Sequence, residues 1–140
     1  MTAAATGTRG QVASRVLYFA PELESQRMAD TPKRIKRLLR EHGGRAHEEE
    51  LRRALVPIAE AFKRWEHGEL GSAELSDIIH RFHQGPAREL FGRYNDTPTL
   101  EMAVAHAITV GVLDRRTIPA ELLDHLARAL AFYESQQATS

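Results

Sequence analysis

The sequence predicts an all-α, single-domain helical bundle of about five helices. Apolar residues recur at helical spacing in segment after segment, and no segment shows the strict alternation of a β-strand. Glycine and proline residues lie between these segments, where helices are expected to end and begin. With 140 residues, the chain is long enough for one domain with one core. We assign residues 31–135 to the bundle, residues 1–30 to a partly disordered or docked arm, and residues 136–140 to a polar tail.

The N-terminal arm contains one short apolar strip, Val16–Phe19. Four apolar residues in a row on a polar arm indicate that it docks on another surface. That surface could belong to the chain's own bundle, to a second copy or to another partner.

The first helix is expected to begin at Thr31-Pro32. Threonine can cap a helix, and proline fits a first turn because its missing N–H has no partner there. Gly43-Gly44 is expected to end this helix, since glycine readily adopts the left-handed cap conformation. Its apolar face is marked by Ile35, Leu38, Leu39 and His42.

A second helix is expected from about Arg45 to Trp65, with a kink near Pro57 rather than a break. We keep one helix because the apolar spacing continues through the proline. The apolar positions repeat at intervals of four and three residues, which is a heptad-like seam. They are Leu51, Leu55, Ile58, Phe62 and Trp65.

The remaining helices follow from similar signals. Ser72 is expected to cap a helix that ends at Gly85-Pro86, where a second one begins; a bent, continuous helix is the alternative. A nearly all-apolar helix, expected at the centre of the core, runs from Pro98 to about Val110. Pro119 opens the last helix, whose stripe consists of Leu122, Leu123, Leu126, Leu130 and Tyr133.

Composition excludes several classes of function. The absence of cysteine removes disulfides, thiolate metal sites and a cysteine nucleophile, and it fits a reducing compartment. Lys+Arg and Asp+Glu balance at 19 each, so only local patches can favour a charged partner. The longest nearly apolar run is too short to span a bilayer. We therefore expect a cytoplasmic protein without membrane association, cofactor or bound metal.

The densest candidate for a chemical site is the stretch from Ser72 to Asn95. Asp77, His80 and His83 follow one another at steps of three residues, so neighbouring members can meet on a helix. The outer two diverge by roughly 120°, which is poor geometry for a common metal ion. A metal site would also need ligands from facing helices, for which the candidates are His47, Glu60, His106 and His125. The alternative is a polar helix flank with one hydrogen-bonded histidine.

Two groups of cations are candidate anion sites. Arg88, Arg93 and Tyr94, with His83, could form a small pocket beyond the Gly-Pro bend. The alternative is a set of surface arginines stacked on aromatic rings. Five cations on the first helix could contact nucleic-acid phosphates, an acidic partner or the chain's own Glu48–Glu50 cluster. They are Lys33, Arg34, Lys36, Arg37 and Arg40.

The pair Arg37 and His42 resembles the Arg-x4-6-His signature of HEPN-type helical ribonucleases. In that family the arginine and the histidine act on the RNA phosphate and 2′-hydroxyl. The resemblance covers only these two residues, and the residue after the arginine, usually polar in the family, is Leu38 here. It implies a ribonuclease as one possible function.

The interpretation favoured by the sequence is a small accessory or regulatory protein that binds a protein partner or itself. No Gly-rich phosphate loop, Ser-His-Asp pattern or HExxH motif accompanies the histidines, whereas apolar surface is in surplus. A nucleic-acid-associated protein that uses the Lys33–Arg40 helix is the alternative. A small helical ribonuclease or metal-dependent hydrolase centred on His80 and His83, with Asp77 as a candidate partner, is the third.

Overall fold

The computed structural model describes residues 31–140, apart from the side chain of Thr97. The described residues form helices and no strand, which confirms the all-α prediction. The N-terminal arm with its Val16–Phe19 strip lies outside the described residues. The helices are α1 (Lys33–Glu66), α2 (Ser72–Phe82), α3 (Arg88–Asn95), α4 (Leu100–Thr109), α5 (Ala120–His125) and α6 (Ala127–Ala138).

Helix α1 is one continuous helix of 34 residues, so the prediction that Gly43-Gly44 ends a helix was wrong. Gly43 is buried, and a Cβ atom added to it would lie only 2.8 Å from Cδ1 of Leu100. The glycine therefore permits close approach of α1 and α4 instead of supplying a cap. The helix also continues through Pro57, as expected from the unbroken apolar spacing.

A π-helical turn, His83–Ala87, joins α2 to α3 without leaving helical backbone. The residues on either side of the turn, Phe82 and Arg88, have ordinary helical dihedral angles. The structure thus matches the alternative of a continuous helix rather than two helices separated at Gly85-Pro86. A π turn is a common way to accommodate a proline, since it shifts the backbone hydrogen bonds around the missing N–H.

Helix α4 lies at the centre of the core, as its nearly all-apolar sequence predicts. Six of its ten residues are buried, and it packs against α1, α3 and α6. Gly111, with φ of +81°, ends this segment after Val110. Within residues 31–140, none of the helices combines the length and apolar character that a membrane span requires.

The last helix is divided in two, where a single helix was expected. Leu126 lies between α5 and α6 with φ of −89° and ψ of 5°, and its side chain is almost fully buried. Burial of Leu122, Leu126 and Leu130 along the same stripe confirms the predicted core face. Helix α6 continues to Ala138, so most of the polar tail is helical.

The second half of α1 and helix α2 form a hairpin with a small core of its own. Ala61, Leu70 and Leu75 are buried there, with Ile78 packed against them. This cluster is separate from the main core, which contains residues of α1, α3, α4, α5 and α6. The hairpin, residues 51–82, is thus held together by far fewer buried side chains than the bundle.

Candidate functional site

The three residues of the histidine cluster are all exposed on α2 and the π turn. The carboxylate of Asp77 forms an ion pair with the guanidinium of Arg81, one helical turn later, and not with His80. The imidazole rings of His80 and His83 have no hydrogen-bond partner among residues 31–140. In the same range, no group of three or more His, Asp or Glu side chains is placed to hold a metal ion. This arrangement matches a solvated helix flank.

Arg88, Arg93 and Tyr94 do not converge on a pocket. Nη1 of Arg93 donates to both carboxylate oxygens of Glu50, at 3.3 and 3.1 Å, and this ion pair joins α3 to α1. The ring of Tyr94 is buried and stacks on His47 with 5.7 Å between the ring centroids. Arg88 is exposed. Two of the three candidates are therefore committed to contacts between helices.

The hydroxyl of Tyr94 is buried without a hydrogen-bond partner in the described part of the chain. Burial, followed by the nearby carboxylate of Glu50, raises the pKa of Tyr94 well above its ordinary value. The folded chain therefore favours the neutral phenol over the phenolate more strongly than an exposed tyrosine does. Tyr94 serves as a core side chain and is not suited to proton transfer near neutral pH.

The basic segment of α1 presents part of its charge to solvent. Lys33, Arg37 and Arg40 are exposed and form no ion pair with other described residues. At about 100° per residue these three positions fall within roughly 60° of one another, on one side of the helix. Arg34 instead pairs with Glu121 of α5, with 2.6 Å between Nε and Oε1. We name the three exposed cations the basic stripe.

The chain's own acidic cluster does not neutralise this stripe through the pairs that the structure describes. Glu49 pairs with Arg53 along α1, and Glu50 pairs with Arg93 of α3. Both partners lie away from the Lys33–Arg40 segment. Within residues 31–140, no ion pair thus neutralises the basic stripe.

Arg37 and His42, the pair that resembles the HEPN signature, point in different directions. Five residues along a helix correspond to a rotation of roughly 140°. His42 is only 3% exposed and lies in the core face, whereas Arg37 is exposed. Burial, then the neighbouring cation of Arg45, lowers the pKa of His42. The two side chains are not placed to act together on one phosphate.

The most exposed part of the predicted apolar seam lies on the second half of α1. Leu55, Phe62 and Trp65 are each 41% exposed, and Ile58 between them is half-buried. These four residues, which we name the α1 strip, lie within about 80° of one another around the helix. The rings of Phe62 and Trp65 meet edge to face at 6.4 Å, and Nε1 of Trp65 donates to Oγ of Ser72 at 2.9 Å. The indole is thereby held in one orientation.

One polar pair that sequence reasoning did not identify joins α4 to the end of α5. Nε2 of His125 lies 2.5 Å from Oε1 of Glu101, and the two side chains are only 22% and 13% exposed. They line a pocket of about 260 Å³. His125 is a candidate metal ligand in the sequence, but the separation of 24 positions from Glu101 gives no local signal of this contact.

Sequence and structure comparisons add no functional assignment to this geometry. No family model, curated protein or solved structure shows a significant match to the chain.

Proposed function

We propose that this protein acts by self-association, as a small accessory or regulatory protein whose α1 strips pair across a two-fold axis. The observation that carries the proposal is the α1 strip itself, with three large apolar side chains each 41% exposed on one helix face. Exposed apolar residues that are scattered singly are normal, but a contiguous set on one face is typical of an interaction site.

The construction of the hairpin supports this proposal. A pair of helices can bury only the surfaces that face each other, and α2 packs mainly against α1. The α1 strip lies beside Ala61, which α2 covers, and extends around α1 beyond that contact. Two hairpins packed face to face would form a four-helix arrangement and cover both strips.

The area involved is suitable for the centre of an interface. The three exposed side chains present on the order of 200–300 Å² of apolar surface, since a whole aromatic side chain buries about 150–250 Å². A stable dimer buries about 800 Å² on each partner, usually with an apolar centre and a polar rim. The strip supplies such a centre, and Trp65 is of the residue type that most often dominates binding energy.

Charge complementarity favours an antiparallel pairing with a second copy. In that arrangement Leu55 lies opposite Trp65, and Ile58 lies opposite Phe62, because their residue numbers are symmetric about position 60. Arg52 and Glu66 flank the two ends of the strip on the same side, and neither forms an ion pair with other described residues. An antiparallel dimer brings Arg52 of each copy close to Glu66 of the other, so the interface contains this pair of opposite charges at both ends.

Light scattering or sedimentation at tens of micromolar tests the proposal. We expect the wild-type protein to have twice the monomer mass of 15.7 kDa. L55E and F62E should give the monomer mass with unchanged helical circular dichroism, because a charge in the interface centre is costly to desolvate. V110E is the matched control, since Val110 is 44% exposed after the end of α4, where it lines a pocket with Tyr133 of α6 and no residue of the α1 strip. A wild-type monomer, or a dimer that V110E disrupts equally, contradicts the proposal.

A charge exchange tests the antiparallel orientation separately. R52E and E66R should each raise the dimer dissociation constant. Each change places two like charges next to each other at both ends of the interface. The double variant R52E/E66R should restore the wild-type value. Loss of affinity in the double variant equal to the sum of the two single losses excludes this pairing.

A further inference from the structure

A second feature, independent of the hairpin, is the pocket between α4 and the α5–α6 segment. It has a volume of about 260 Å³. Glu101 and Met102 contribute from the first turn of α4, and His125, Arg128 and Phe132 contribute from the end of α5 and from α6. The pocket therefore combines a hydrogen-bonded carboxylate–imidazole pair, a cation and two large apolar side chains.

Glu101 and His125, both half-buried, contribute a hydrogen-bonded polar pair to the lining of this pocket. The 2.5 Å contact between Oε1 and Nε2 orients the imidazole and occupies one oxygen of the carboxylate. The other ring nitrogen, Nδ1, forms no hydrogen bond with the described residues. A ligand that enters the pocket thus meets an imidazole whose orientation is set in advance.

Arg128 indicates that the ligand carries a negative charge. Its guanidinium lines the pocket, is exposed, and forms no ion pair within residues 31–140. The carboxylate of Glu101 is already in contact with His125, so the guanidinium of Arg128 remains available to a negatively charged group of a ligand. A guanidinium of this kind binds carboxylate or phosphate oxygens through two parallel hydrogen bonds.

Two of the lining side chains are large and apolar, and they favour a hydrophobic group on the ligand. Phe132 is 48% exposed, and Met102 is half-buried. The ring of Phe132 is held edge to face against Tyr133, with 5.2 Å between their centroids. A flat apolar group can stack on this supported ring.

We propose that this pocket is a binding site for a small organic anion with one planar apolar group. The oxyanion, a carboxylate or a phosphate ester, contacts the guanidinium of Arg128, and the apolar group packs between Met102 and Phe132. The volume is below the range of about 300–1,000 Å³ that is typical of drug-sized ligands, so a single-ring compound fits best.

Chemical-shift titration of the full chain with benzoate, phenyl phosphate and neutral benzamide tests the site. We expect saturable shifts of the His125 and Phe132 ring signals with the two anions and much weaker binding of benzamide. R128Q should weaken binding of the anions by roughly tenfold, the usual scale for a lost charge-assisted hydrogen bond. F132A should weaken benzoate binding more than acetate binding.

R115Q is the matched control for charge, because Arg115 pairs with Glu134 and does not line the pocket. It should leave the affinity for benzoate unchanged. The proposal is overturned if the wild-type protein shows no saturation at tens of millimolar anion, or if benzamide binds as well as benzoate. It is equally overturned if R128Q and R115Q have the same effect.

Discussion

At the scale of single residues, His42 shows how burial decides chemistry. Its position after Ile35, Leu38 and Leu39 predicted the core face, and the structure confirms that placement. Desolvation by burial and then the cation of Arg45 lower its pKa, and Glu41 only partly opposes them. The neutral imidazole is therefore the form that the folded chain prefers.

This preference predicts a loss of stability in mild acid. Above the ordinary histidine pKa of 6.5, His42 is neutral in both the folded and unfolded states and stability is complete. As the pH falls below 6.5, the unfolded chain takes up the proton first, so the free energy of unfolding decreases until the lowered folded pKa is passed. Urea denaturation of wild type and H42Q at pH 7, 6 and 5 measures the difference, and H42Q should show the shallower decline.

H80Q is the control for this experiment, since His80 is exposed. It should keep the wild-type dependence of stability on pH. Parallel curves for wild type and H42Q would assign the acid sensitivity to other groups.

The residue scale also shows what the sequence could not predict. Helical spacing identifies which face of a helix is buried, and that was sufficient for His42. The contact between Glu101 and His125 depends on how α4 packs against α5, and across a separation of 24 positions the sequence holds no periodic sign of it. Similarly, the nearest carboxylate in sequence to His80 is Asp77, but Arg81 is a stronger partner for that carboxylate.

At the scale of elements, helix α1 illustrates a local signal that tertiary packing overrides. Glycine pairs usually end helices, and Gly43-Gly44 was interpreted in that way. The structure instead uses Gly43 to bring α1 against Leu100, a contact that no reading of α1 alone can foresee. By contrast, two predictions were correct: that α4 lies in the core, and that α1 continues through Pro57. Both depend on the pattern of apolar residues within one segment.

The two glycines should therefore respond differently to substitution by alanine. G44A should raise the free energy of unfolding by up to about 1 kcal/mol, because the position is helical, exposed and without any atom within 4 Å of the new methyl group. G43A should not gain this stability, since Cδ1 of buried Leu100 would have to move away from a 2.8 Å contact.

Thermal or chemical denaturation of the two variants in parallel measures this difference. Each variant adds one methyl group to the same helix, so each is the other's control. Equal stabilisation by both changes would show that Leu100 repacks freely.

At the scale of the whole molecule, the balance of 19 basic and 19 acidic residues gives no general attraction to polyanions. Association with nucleic acid, the alternative function, therefore depends on the basic stripe of Lys33, Arg37 and Arg40. Its three cations are exposed on one side of α1. This hypothesis predicts that binding is weak, local and sensitive to salt.

Fluorescence anisotropy with a labelled RNA or DNA over a range of salt concentrations tests the alternative. If the stripe binds phosphates, changing its three cations to Gln should lower affinity and reduce the slope of log K against log salt by about 2–3. Changing Arg81, Arg115 and Arg116 to Gln removes the same charge from residues already paired with acids, and should have little effect. Absent binding at low salt, or equal losses in both triple variants, argues against nucleic acid.

The length of α1 has a consequence for any assembly of this chain. As a single helix of 34 residues, at 1.5 Å per residue, it extends for about 50 Å. Its first half is built into the main core and its second half carries the α1 strip. Two copies joined at their strips would thus hold their bundles apart on a rigid spacer rather than on a flexible tether. The length of α1 would then set the distance between the two bundles.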